Sequence, residues 1–191
     1  MKKFVYAILL ILAICIIGFI GYRIWLSYMP GSEEEKLSDI NYLNNSVDFK
    51  MYLFGDDIDF YKELKYEKID KLDLSAISGK HDYVYLIIND LSAANNLTYK
   101  QLDQILKYAD KNTNFNVYYI GKSLINEIKE NFSDCNLDDS DLSFGYVLYE
   151  GERIQHYGVW KTDYTKYLKE NKYILGENIC DTIKQLIKSN E

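Results

Sequence analysis

Apolar and polar positions divide the chain near Pro30. Phe4 to Tyr22 is a run of 19 residues without a charge, and at 1.5 Å per residue it makes a helix of roughly 28 Å, about the hydrocarbon thickness of a bilayer. A transmembrane helix is therefore expected over 4–26. Tyr22, Trp25 and Tyr28 fall at headgroup level, Arg23 can snorkel to water, and Pro30 stops the helix. A cleaved signal has a shorter apolar core and a small-x-small exit, which this run lacks. "LAIC" is similar to the box of bacterial lipoproteins, but Ile14 stands where a small residue is needed and the apolar run continues past Cys15. Lys2 and Lys3 precede the span, which puts residues 1–3 in the cytoplasm and the remainder outside.

Beyond the span the pattern turns polar and then periodic. "GSEEEKLSDINYLNNS" offers a Ser32 to Glu35 capping box, so a short helix or tether is expected within 27–46. From Val47 to Glu191 the alternation predicts one α/β domain. "FKMYLFG" reads as a strand closed by Gly55. "DIDFYKELKY" places Ile58, Tyr61 and Leu64 at helical spacing, and "KIDKLDLSAI" reads as a second strand or a helix–strand junction. "DYVYLIIND" is a continuous β-branched and aromatic run, the signature of a buried central parallel strand. Thr98 can cap "YKQLDQILKYADKN", with Leu102, Ile105, Leu106 and Ala109 on one face. "FNVYYIG" and "SLINEIKENF" supply a further strand and helix, with Ser123 as candidate cap. "LSFGYVLY" and "RIQHYGVW", joined through "EGER", read as a hairpin. Two helices, "TDYTKYLKENK" and "GENICDTIKQLIKSN", close the chain, the second presenting Ile179, Ile183, Leu186 and Ile187 on one face.

Charge narrows the partners. Of 22 basic residues three precede Pro30, leaving 19 against 29 acidic ones, so the part beyond the span carries −10. That balance excludes a nucleic-acid binder and disfavours docking on anionic lipid. Tyr is abundant at 19 and Lys outnumbers Arg 20 to 2, a bias that fits AT-rich bacterial codon usage better than a binding surface. Cys15, Cys135 and Cys180 show no metal or redox spacing; Cys135 and Cys180 can pair outside the cell or stay as buried thiols, the simpler expectation.

Candidate chemistry concentrates at strand ends. Asp56 and Asp57 follow the first strand and Asp90 the central one, where three carboxylates can hold Mg²⁺ with Lys122 balancing charge. The commoner role of such aspartates is to form Asx turns and caps. Cys180, His156 and Asp163 can be written as a triad, though Cys180 falls on an apolar helix face, and His81 reads as a loop residue. "GKS" at 121–123 lacks the upstream glycine of a phosphate loop. Tyr146, Tyr149, Tyr157 and Trp160 on the hairpin form a candidate partner surface, as aromatics supply most interface hot spots, or else cover the core.

Two stretches carry resemblances of shape. Residues 49–121, with "HDYVYLIIND" and "FNVYYIG", resemble the first half of Rossmann-like domains, including glutamine-amidotransferase-like ones; the nucleophilic cysteine those enzymes place at a strand-to-helix turn is missing. Residues 82–171, with "SFGYVLYEGERIQHYGVW", are similar to the second half of thioredoxin-like domains, with "AANN" where CxxC is expected and no proline before the hairpin. The expectation is thus an N-terminal transmembrane helix and one three-layer α/β domain with a mostly parallel sheet, Rossmann/flavodoxin-like or alternatively thioredoxin-like, ending in a hairpin and helices. The expected function is a non-enzymatic interaction or accessory module. It sits in the cell membrane through residues 4–26, N-terminus cytoplasmic, partnered by another envelope protein, with no cofactor. The alternative is a metal-assisted hydrolase or ligand-binding domain using Asp56, Asp57 and Asp90, with Mg²⁺.

Overall fold

A computed structural model describes residues 16–22, 33–60, 64–77, 81–132, 135, 137, 142–156 and 173–191. The chain divides into two compact units, Met1–Asp39 and Ile40–Glu191. In the first unit residues 16–22 are helical. Among the described residues no helix is long and apolar enough to cross a membrane; the rest of the expected span, 4–15 and 23–26, lies outside them.

Helix α1 (Glu33–Asn45) covers most of the expected tether and ends in the second unit, where Ile40 and Leu43 are buried in the core. Strands β1 (Phe49–Gly55), β2 (Glu67–Ile69), β3 (Tyr83–Asp90), β4 (Phe115–Gly121), β5 (Ser143–Tyr149) and β6 (Glu152–His156) form one sheet in the order β2-β1-β3-β4-β5-β6. The four strands from β2 to β4 are mutually parallel, and β5 and β6 add antiparallel. Four more helices follow: α2 (Leu74–Ile77), α3 (Tyr99–Lys111), α4 (Ile125–Asn131) and α5 (Ile174–Asn190). This is a mixed α/β fold with a six-stranded sheet and, besides the helical stretch 16–22, five helices among the described residues.

Strand β3 explains the layering. Successive side chains on a strand point to opposite faces. Tyr85 and Ile87 enter a core with Ile40 and Leu43 of α1 and Ile179, Ile183, Leu186 and Ile187 of α5. Val84, Leu86 and Ile88 enter a second core with Leu102, Ile105, Leu106 and Ala109 of α3 and Ile125 and Ile128 of α4. A strand covered on both faces must be apolar throughout, as "YVYLII" is.

Helix α3 forms as its sequence dictates. The Gln101 N–H donates to Thr98 Oγ1 at 3.4 Å, and the Thr98 N–H donates to Gln101 Oε1 at 3.0 Å, a complete capping box. The helix expected from Ile58, Tyr61 and Leu64 does not form over the described part of that stretch: residues 57–60 and 64–66 are irregular, and 61–63 lie outside the description. The carbonyls a helix would use are taken elsewhere. Those of Asp56 and Asp57 accept from Asn89 Nδ2 at 3.3 and 3.4 Å, and Ile58 O accepts from the Phe60 N–H at 3.0 Å. Ile58, Phe60 and Leu64 are buried all the same. "KIDKLDLSAI" holds both the short edge strand β2 and α2, whose start is fixed by Asp73 Oδ1 accepting from the Ser75 N–H at 3.0 Å. The helix expected over 162–172 lies outside the described residues.

Candidate functional site

The carboxyl ends of β1, β3 and β4 gather the polar residues that the pattern singles out. Chain order runs from β1 outward to β2 and then back past β1 to β3, so β1 and β3 flank the point where the winding reverses. In open α/β sheets that is where ligands bind. Gly55 turns the chain there with φ +93°, a left-handed conformation that suits glycine, and its α-carbon lies against the Asn89 carbonyl, which leaves no room for a side chain.

The three aspartates reach this edge but turn to separate partners. Asp56 accepts from the Ser92 N–H and Oγ, both at 2.7 Å, holding the loop after β3 against the end of β1. Asp57 pairs with Lys68 in the middle of β2. Asp90 is 1% exposed and accepts from Ser123 Oγ, from Tyr119 Oη at 3.2 Å and from Asn95 Nδ2 at 3.4 Å. Among the described residues no three His, Cys, Asp or Glu side chains group to hold a metal ion. Asp56 and Asp57 act as the turn and pairing groups that Asp commonly supplies at strand ends. Lys122 is exposed at the end of β4, with no hydrogen bond or ion pair to a described residue.

Ser123 does not cap α4 as expected. The N-cap is Leu124, without a side-chain hydrogen bond, because the Ser123 hydroxyl is turned toward Asp90 and lies 2.8 Å from Tyr119 Oη. Tyr119 Oη also accepts from the Leu124 N–H at 3.2 Å. Burial pushes the Tyr119 hydroxyl up to about 12, against the pull of the Ser123 and Leu124 hydrogen bonds, so it stays a donor at neutral pH. On the neighbouring position of β3, Asn89 is fully buried and its Oδ1 has no partner.

Of the four hairpin aromatics, Tyr146 and Tyr149 lie among the described residues. Tyr146 is half-buried, donates to Asp110, stacks on Phe144 at 6.5 Å and lies under Arg153 at 5.4 Å. Burial, and then Asp110, raise its hydroxyl to about 12. Tyr149 is 40% exposed at the hairpin turn. Tyr157 and Trp160 lie outside the described residues.

Neither Cys135 nor Cys180 is in a disulfide, and they pack on opposite faces of the sheet. Cys180 sits among Ile179 and Ile183 as a core side chain, which removes the nucleophile of the written triad; His156 ends β6 and Asp163 is outside the description. His81 Nδ1 pairs with Asp48 at 2.6 Å at the opposite, amino-terminal edge of the sheet, and that hydrogen bond lowers the Asp48 pKa.

Sequence reasoning missed Ser123 as a partner of Asp90, and it missed Asn116 and Arg153. Asn116 Oδ1 accepts from the Leu148 N–H at 2.7 Å and from Arg153 Nη1 at 3.2 Å. Arg153 Nη2 donates to Ala109 O at 2.8 Å and Asn112 O at 3.2 Å, closing the carboxyl end of α3. One signal was present: Asn116 and Asn89 are polar residues inside otherwise apolar strands.

Fold and site together define a mixed α/β protein with a polar carboxyl edge. No protein-family model matches the chain, and neither a curated protein nor a solved structure matches it.

Proposed function

We propose that the chain is a single-pass membrane protein of a bacterial envelope, holding a flavodoxin-like α/β domain outside the membrane as an interaction or accessory module for another envelope protein. The observation that carries this reading is the helical stretch 16–22. Ile16, Ile17, Phe19, Ile20 and Tyr22 are all more than half exposed there, and the only other residues are glycines. A helix apolar all round is stable in a core or in lipid, not in water. The uncharged run from Phe4 to Tyr22 supplies the length. The flavodoxin-like assignment rests on parallel β2-β1-β3-β4, the doubly wound order.

A reading without a metal shared by the three strand-end aspartates is favoured because they turn to separate protein partners. The test is membrane retention. The full chain should stay in the membrane fraction through an alkaline carbonate wash, and the double variant Ile17→Asp, Ile20→Asp should be released or fail to insert. Release of the unaltered chain by carbonate would contradict the anchor. Pull-down from detergent-solubilised membranes should then recover an envelope protein; recovery of none under cross-linking would contradict the accessory role.

A further inference from the structure

Asp90 is the one buried carboxyl group among the described residues. It is buried at 1% exposure, and its partners Ser123, Tyr119 and Asn95 are all neutral. Burying a carboxylate without a cation is costly even when hydrogen bonds offset part of the penalty. A purely structural clasp between β3 and the β4–α4 turn could be made by a neutral side chain at lower cost.

Ser123 stands on the solvent side of that carboxylate. The residue is exposed, its hydroxyl donates to Asp90, and Tyr119 Oη, which also donates to Asp90, lies 2.8 Å from Ser123 Oγ. Tyr119 is itself fixed by the Leu124 N–H. Ser123 Oγ is therefore turned to Asp90 and lies beside Tyr119 Oη instead of capping α4. A nucleophile within hydrogen-bond reach of a base, with the constellation oriented by a third group, is the arrangement that hydroxyl activation requires. Lys122 is adjacent and unengaged among the described residues, a cation at hand for negative charge developing beside Ser123. Gly121 belongs to the same arrangement: a Cβ there would meet Tyr119 Oη at 2.7 Å and Asp90 O at 2.8 Å, so only glycine lets the two strand ends close on each other.

We propose that Ser123 is a nucleophile activated by Asp90, acting on the carbonyl carbon of a carboxylic ester. The Ser123 Oγ–carbon bond forms as the hydroxyl proton passes to Asp90 Oδ2. The ester C–O bond then breaks and the alcohol leaves with that proton. Water attacks the acyl-serine, giving its proton to Asp90, which returns it to Ser123 Oγ as the carboxylic acid departs. This goes beyond the accessory-module reading and does not depend on it, since it concerns side chains of the second unit alone.

The experiment is covalent labelling of the full chain in detergent with a fluorophosphonate, which loses fluoride as its phosphorus bonds to the attacking oxygen. Peptide mapping should place the adduct on Ser123 in the folded chain, and heat-unfolded chain should show none there. Ser123→Ala should lose that adduct. Asp90→Asn, which keeps size and can keep hydrogen bonds, should label about 100-fold more slowly or worse, the usual scale of a general base. No adduct on Ser123, equal labelling of folded and unfolded chain, or an Asp90→Asn rate equal to wild type would each overturn the proposal. The mapping on unaltered chain decides the matter even if Asp90→Asn does not fold.

Discussion

Asn116 shows how much one polar residue inside an apolar strand can organise. It is 1% exposed on β4; its Oδ1 accepts from the Leu148 N–H where the β4–β5 ladder ends, and its Nδ2 donates to Asn114 O at 3.2 Å and Val84 O at 3.4 Å. Removing the carboxamide strands the part-buried Leu148 N–H and one arm of Arg153. Asn116→Ala is therefore expected to destabilise the domain by about 1–3 kcal/mol, measured by denaturant unfolding. A change within 0.5 kcal/mol of zero, the range of ordinary surface substitutions, would contradict this account. At this scale the sequence was only partly legible. The polar interruptions in "FNVYYIG" and "LIIND" were visible, but their partners Leu148, Arg153 and Ser123 lie more than 30 positions away and only the sheet brings them together. Asp90 was singled out by its place at a strand end, yet spacing alone gave no sign that it would turn to Ser123 rather than to Asp56 and Asp57.

Among elements, α3 was the most legible, because its signals are local. Thr98 and Gln101 define its start, and the buried Leu102, Ile105, Leu106 and Ala109 are the positions that helical spacing selects. Its other end was illegible, since Arg153 reaches it from β6. Thr98→Ala should cost about 1 kcal/mol through the lost cap. Arg153→Lys should cost a comparable amount, because an ammonium cannot reproduce the fork that spans Asn116, Ala109 and Asn112. The helix has 13 residues, so its ends are ~20 Å apart and the two losses should add within about 0.5 kcal/mol in the double variant. Strong non-additivity would mean that the ends are coupled through the helix. The stretch after β1 was misread for the complementary reason. Its apolar spacing suits a helix, but Asn89 draws the carbonyls of Asp56 and Asp57 away, and Ile58, Phe60 and Leu64 plug the core from an irregular chain.

For the whole molecule, the abundance of tyrosine has a physical consequence whatever its genomic origin. Burial raises the hydroxyls of Tyr42, Tyr119 and Tyr146 to about 12, and raises those of Tyr85 and Tyr118 further. Folded values above the ordinary 10 mean that the associated stability is fully present below about pH 10. It is lost as pH climbs through about 12, because the unfolded chain releases its phenolic protons first. Denaturant midpoints should hold steady on approaching pH 10 and then fall, with phenolate absorbance rising in two stages. A midpoint that does not move up to pH 12 would contradict the burial of these groups.

The layered α/β plan was legible at this scale because β3 announces itself as a strand covered on both faces. The place of the domain relative to a membrane is the central claim, and it rests on the apolar run from Phe4 to Tyr22 and the basic residues before it. The most direct test replaces Ser38, exposed on α1, by cysteine in a chain whose Cys15 and Cys135 are serine, and applies a membrane-impermeant maleimide to intact cells. Labelling of Ser38→Cys equal to that in lysed cells is expected. Protection in intact cells that lysis relieves would place the domain on the cytoplasmic side and contradict the account.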